Sequence, residues 1–538
     1  MGFTPLDYGI LLFYLIGVTV LGSWFGKFQK DTRDYFLGGR NLPWWAVCFS
    51  VVATETSTLT FISIPGIAYV SNLNFLQLTF GYILGRIIVS FVFLPAYYKG
   101  ELATAYEFLG GRFGQRMRNF SSVIFQITRL LADGVRLFAT AIPLSVITGW
   151  SYPVSIAVIG FLTVVYTYLG GIRAVVWIDV IQMVIYLGGA IVAGVFLLQH
   201  LPNGWQDVVA AAQPENKFQL FNFSWNGDWR TFFQSGYHFI TSLVGGMFLS
   251  MASHGTDQLI VQRLLTCNNL RDSQKALITS GVLVMVQFAI FLTIGLMLYA
   301  FYHAQPVGDG SSFVTSSDEI FPKFIVEALP PGLSGLIIAG IFAAAMSTLS
   351  GSMNSLASSS VLDIYKTRFG KGNAPRKDLF ISRLMTAVWG FVFIGGAMLF
   401  KDKTNPVVEL GLEIASFTYG GLLGTFLLGV FFRHVKENAA LIAQWSAIFF
   451  MSWIIISARN FTGIPKYAIL IVLVIAFIWI FMKLNDRREQ MILSVLLIGF
   501  VSLIRFVQPL HFFWPWYVFL GCSVALIVGV LVAMVARN

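Results

Sequence analysis

The chain has 538 residues, 57% hydrophobic and only 11% charged, with a formal net charge of +10. A soluble protein carries about a quarter charged residues, so this composition excludes a water-soluble enzyme or nucleic-acid-binding domain. Cys48, Cys267 and Cys522 stand far apart, without metal-ligand spacing or a disulfide framework.

Long apolar runs separated by short polar loops predict a multi-span helical membrane protein. The runs fall at 5–26, 44–70, 74–98, 119–149, 152–169, 174–200, 233–254, 274–302, 333–363, 378–400, 406–432, 437–457, 465–483, 490–507 and 512–535. That is about fifteen spans, or thirteen without the pair 465–483 and 490–507. The first run lacks a basic leader and a small-residue cleavage site, which predicts a retained span. Alternate loops are basic, including those with Lys27, Lys30, Arg33 and Arg40, with Arg263 and Arg271, and with Lys366, Arg368, Lys371, Arg376 and Lys377. Basic loops stay in the cytoplasm, which sets the N-terminus outside and the C-terminus inside. Loops of about thirty residues at most leave no room for a soluble module.

Polar residues inside the runs mark the chemistry. In "SVVATETSTLTFISIPGIAY" (50–69), Glu55 sits among threonines ahead of Pro65-Gly66. Such residues make a poor continuous helix, and broken helices build ion and solute sites in secondary transporters. "TRLLADGVRLF" (128–138) sets Arg129 and Asp133 four apart and Arg136 three further on, either an ion pair or part of a pathway. Asp179, in "WIDVIQM", lacks a local basic partner beyond Arg173. A second break is expected in "FLSMASHGTDQ" (248–258), where His254 reads as a satisfied helix-end residue. "AAAMSTLSGSMNSLASSS" (343–360) carries eight hydroxyl side chains and one amide within a span. Ala344, Ser347 and Thr348 share one face, extended by Ser350 and Asn354. The stripe reads as close helix packing or as neutral oxygens for a hard cation such as Na+.

"DYFLGGRNLPWWAVCFSVVATETS", "YTYLGGIRAVVWIDVIQ", "SHGTDQLIVQRLL" and "AGIFAAAMSTLSGSMNSLASSSVLDIY" together resemble the sodium:solute symporters over about residues 5–435. The resemblance implies an all-α, leucine-transporter-type core of two inverted five-helix repeats, with one N-terminal and several C-terminal helices added. The implied division is an N-terminal helix and loop (1–43), repeat 1 (44–200), an extracellular loop (201–232), repeat 2 (233–432) and C-terminal helices (433–538).

By the same resemblance, sodium would bind to Ala53, Thr56, Ala344, Ser347 and Thr348. A second sodium would use Asp179, Ser347 and Ser350, but Gly351 stands where two-sodium members often carry Ser. This departure favours one Na+ per solute. Thr60, Thr79 and Ser250 stand at or near the places implied for solute contacts, Ser253 is a further candidate there, and Glu55, Arg129, Asp133 and Asp257 are expected to serve structure or gating. The sugar carriers' amides and carboxylates are not matched, so a small polar or anionic organic solute is expected. A proton-coupled carrier and a sodium/sugar symporter remain as alternatives. The expected partners are Na+, the solute and the lipid of the cell membrane. No organic cofactor, enzymatic activity or nucleic acid is expected, and the monomer is the functional unit.

Overall fold

Among the described residues all regular structure is helical, apart from one isolated backbone bridge between Leu42 and Cys267. The computed structural model describes residues 4–225, 227–234, 236–304, 317–370, 374–398, 407–458, 464–484, 487–507 and 512–535. Nine helices there are long and apolar enough to cross a bilayer, and one bent pair raises the number to ten.

The long helices are α1 (Pro5–Trp24), the bent pair α2 (Trp44–Glu55) and α3 (Thr58–Val70), α4 (Gln77–Val92), α5 (Gln115–Thr148) and α6 (Tyr152–His200). Next come α7 (Phe239–Gly255), the short α8 (Gln258–Leu264), α9 (Leu270–Ala304), α10 (Leu333–Ser358), α11 (Pro375–Ala397) and α12 (Val407–Phe431). The C-terminal set is α13 (Glu437–Ala458), α14 (Ile464–Lys483), α15 (Arg487–Val507) and α16 (Trp516–Val535). The surface of several spans is apolar: Phe13 is 82% exposed, Val184 63% and Phe391 58%. Lipid removes the penalty that water would impose on such side chains.

Two breaks expected from the sequence are present. The α2–α3 pair bends by 64° between Glu55 and Thr58. α7 ends at Gly255 and α8 begins at Gln258. Pro65 and Gly66, however, lie inside α3 and do not interrupt it. A third discontinuity lies within α6 at Gly171 (φ 56°, ψ −156°). Only glycine adopts that backbone region readily, and a Cβ there would stand 2.6 Å from the Tyr35 carbonyl oxygen. The Gly170-Gly171 step thus separates the apolar runs 152–169 and 174–200.

Backbone contacts divide the chain into two compact units. The first comprises residues 1–79, 129–222 and 262–411. Its centre is α10, whose side chains from Ser334 to Ser358 are almost all buried. α6 packs on it, with Tyr166 Oη donating to the Met346 carbonyl at 3.1 Å. The start of α10 is held by α1: Asp7 Oδ1 accepts from Gly332 N–H at 2.7 Å, Gly335 N–H at 2.8 Å and Ser334 Oγ at 2.8 Å. A carboxylate there satisfies first-turn amides and complements the helix dipole.

The second unit comprises residues 80–128, 223–261 and 412–538. Arg112 donates to the Gly429 carbonyl at 3.1 Å and the Phe432 carbonyl at 2.9 Å, capping the C-terminal end of α12. Arg116 pairs with Glu437 at 2.7 Å and fixes the start of α13.

Candidate functional site

α6, α9 and α10 of the first unit converge on the α2–α3 break. The threonines of α2 bond back along their own helix, Thr54 Oγ1 to the Ser50 carbonyl at 2.7 Å and Thr56 Oγ1 to the Val52 carbonyl at 2.8 Å. Such back-bonding weakens a helix end. Ser57 N–H then turns to the Glu55 carbonyl at 3.1 Å, so the Ala53 carbonyl loses the donor a continuous helix would supply. The next ladder bond runs from Phe61 N–H to the Ser57 carbonyl at 3.1 Å, beyond the Thr56 carbonyl. Two main-chain oxygens are thereby released from the ladder inside a buried region. Thr56 is pinned by Gln287 of α9, whose Nε2 donates to its Oγ1 at 2.6 Å, and Tyr186 Oη donates to Gln287 Oε1 at 3.4 Å.

α10 faces this break. Thr348 Oγ1 donates to the Ala344 carbonyl at 3.2 Å and lies 3.5 Å from the Thr54 carbonyl. Thr58 Oγ1 donates to the Ile341 carbonyl at 3.1 Å, tying α3 to the same helix. Ser347 Oγ donates to Asp179 Oδ1 at 2.7 Å. A hydroxyl that has given its proton away keeps its lone pairs for a cation. Ala53, Thr56, Ala344, Ser347 and Thr348 thus offer carbonyl and hydroxyl oxygens in one buried neighbourhood. Hard cations take such oxygen ligands, which fits Na+ as a transported co-substrate.

Asp179 extends the site. It is 0% exposed, and besides Ser347 it accepts from Ser50 Oγ at 2.5 Å and from Arg263 Nη2 at 3.1 Å. Ser350 Oγ donates to the Ser347 carbonyl at 3.0 Å. Arg263 corrects the reading from sequence, which placed it in a cytoplasmic basic loop. It lies at the end of α8, 0% exposed, and its charge is spent on Asp179. Ser50, Gln287 and Tyr186 also went unnoticed, because single polar residues in apolar runs carry no local signal.

Asp133 forms the ion pair expected with Arg129, at 3.3 Å, and a second with Arg136 at 3.0 Å. Ser352 of α10 also donates to Asp133. Glu55 is half-buried and gives its carbonyl to the turn at the break. Thr60 and Thr79 are buried in the first unit, and Thr79 Oγ1 is spent on the Leu76 carbonyl at 2.8 Å. Ser250, Ser253 and Asp257 belong to the second unit. Ser250 Oγ donates to the Tyr82 carbonyl at 3.0 Å, and Ser253 Oγ sits 2.8 Å from His254 Nδ1. Asp257 Oδ1 caps α8 through Leu259 N–H at 2.9 Å, while its other oxygen accepts from Tyr419.

Residues 35–447 match the model of the sodium:solute symporter family. The chain belongs to that family. Sodium/sialic acid symporter NanT of Aliivibrio fischeri is 32% identical over 454 residues, covering 84% of this chain and 88% of that protein. Sodium/sialic acid symporter SiaT of Proteus mirabilis is 30% identical, covering 81% and 87%. The human sodium/iodide cotransporter is 28% identical, covering 84% and 70%. Among solved structures, the substrate-bound outward-open state of a Na+-coupled sialic acid symporter superposes with a TM-score of 0.78. Identity there is 26%, over 99% of this chain and 98% of that one. The symporter described here is therefore an integral membrane protein that couples solute movement to Na+, and it is a carrier rather than an enzyme.

Proposed function

We propose that this symporter imports a small organic anion of the sialic acid class together with one Na+, by alternating access. The carrying observation is the broken α2–α3 helix facing Ser347 and Thr348 of α10, with the Ala53 and Thr56 carbonyls released from the ladder. Na+ is held by Ala53, Thr56, Ala344, Ser347 and Thr348, bridging α2 to α10. The bound ion stabilises the arrangement that receives solute, and by linkage the solute favours Na+ to the same degree.

Two observations support an anionic solute. The relatives named NanT and SiaT are sialic acid symporters. Asp133 is shared by Arg129 and Arg136, which leaves that cluster a surplus positive charge, and the Arg136 side chain is the more accessible of the two at 20% exposed. Arg136 is the group we assign to the solute's carboxylate. Thr60 and Thr79 of the first unit remain candidates for its hydroxyl and amide groups. Within the wider reading, repeats 44–200 and 233–432 form a leucine-transporter-type core, flanked by 1–43 and 433–538. The full set is fifteen spans in a functional monomer, with the N-terminus outside.

The test is uptake of radiolabelled N-acetylneuraminate into proteoliposomes under an inward Na+ gradient or a matched K+ gradient. Accumulation only with Na+ supports the proposal. Na+-driven uptake of iodide or a monocarboxylate in its place would overturn the solute class, and uptake indifferent to Na+ would overturn the ion assignment.

A further inference from the structure

A buried carboxylate ringed by hydroxyls is a natural cation site, and Asp179 with Ser50 and Ser347 forms one. Its cation is already part of the chain. Arg263 Nη2 lies 3.1 Å from Asp179 Oδ2, and Arg263 Nε donates to Ser50 Oγ at 2.9 Å. The guanidinium fills the space beside Gly351: a Cβ built at that position would stand 2.3 Å from Nη2, 2.8 Å from Nη1 and 2.9 Å from Cζ. Gly351 is buried within α10, so its lack of a side chain is what admits the arginine.

We propose that Arg263 is a tethered cation that takes the place of a second sodium at Asp179, and that Gly351 makes its position available. A further Na+ at Asp179 would leave the buried site with an unmatched positive charge, which the protein interior disfavours strongly. Arg263 is therefore a positioning residue. It holds the Asp179 carboxylate that accepts the Ser347 hydrogen bond, and so presents the Ser347 oxygen to the one transported ion. The inference rests on the sodium symport reading above and goes beyond it by explaining what sets the stoichiometry.

The experiment is the ratio of 22Na+ to solute flux in proteoliposomes, with net charge movement recorded by a voltage-sensitive dye. The reporter solute is whichever anion the wild type accumulates with Na+. With a monovalent anion, the wild type is expected to carry one Na+ and move no net charge. The double variant Arg263→Gln/Gly351→Ser removes the tethered cation and supplies an extra hydroxyl. It is expected to carry two Na+ per solute, to become electrogenic and to show a sigmoidal Na+ dependence. Two Na+ per solute in the wild type overturns the inference, as does a transporting double variant that still carries one. Should the double variant not fold, Arg263→Lys serves as the control: it keeps a cation near Asp179 and must remain at one, and a rise to two overturns the inference. Wild-type uptake without any Na+ dependence would instead sink the symport reading itself.

Discussion

Thr348→Val isolates the proposed sodium site from its surroundings. The substitution keeps the branched shape of a buried side chain and removes only Oγ1, whose hydrogen bonds are a 3.2 Å contact to Ala344 and a long 3.5 Å one to Thr54. No carboxylate loses a partner, unlike in Ser347→Ala, where Asp179 would also be disturbed. Removing one oxygen from a buried set costs roughly 1–3 kcal/mol, on the order of 5–150-fold in Na+ affinity. The assay is uptake as a function of Na+ at fixed solute, then of solute at saturating Na+. The half-saturating Na+ concentration is expected to rise within that range, while the solute KM at saturating Na+ stays near wild type. A collapsed solute affinity with unchanged Na+ dependence would refute the assignment.

Arg136→Gln is expected to raise the solute KM by tenfold or more, from loss of a charge-assisted hydrogen bond of about 1.5–3 kcal/mol, with Na+ dependence little altered; an unchanged KM would move the anion site elsewhere. Asp133→Asn leaves Arg129 and Arg136 without their buried counter-charge and is expected to destabilise by about 3–5 kcal/mol, read as a lowered midpoint of thermal unfolding. Gly171→Ala forces a side chain onto the Tyr35 carbonyl in a backbone region that costs roughly 1–3 kcal/mol, so a midpoint equal to wild type would contradict the kink geometry. Lys217, in the loop after α6, donates to the Tyr69 carbonyl at 2.7 Å and the Ser71 carbonyl at 3.1 Å at the end of α3. Burial lowers its pKa below the usual 10.5, so on alkalinisation the folded chain releases this proton before the unfolded chain does. The stability of wild type relative to Lys217→Met is therefore expected to rise with pH as 10.5 is approached, measured by denaturant unfolding, and a fall would show the sign to be wrong.

The spans and the two helix breaks were legible because hydropathy and helix-breaking chemistry are local. The α2–α3 break was legible for a partly different reason than expected: Thr54 and Thr56 bond back and Ser57 reverses the ladder, while Pro65 is absorbed within α3. The hydroxyl stripe of α10 was visible as a repeat of small polar residues, and its complete burial explains why lipid tolerates it. Arg263 was misread because a charge seven residues past a helix break looks like a loop charge until the fold closes over it. Its partner Asp179 lies 84 residues earlier in the chain, and no pattern in either segment announces the pair. Gly351 was noticed as a missing hydroxyl, whereas its physical role, room for a guanidinium, needed the three-dimensional packing.

The most direct test of sodium coupling is thermal unfolding of the purified protein with N-acetylneuraminate and other small anions, in Na+ and in matched K+. Ligands that bind only the folded state raise the midpoint in proportion to their binding, and coupled ligands reinforce each other. Sodium coupling requires an anion that stabilises the protein in Na+ and fails to do so in K+. An anion that stabilises equally in both salts would contradict it.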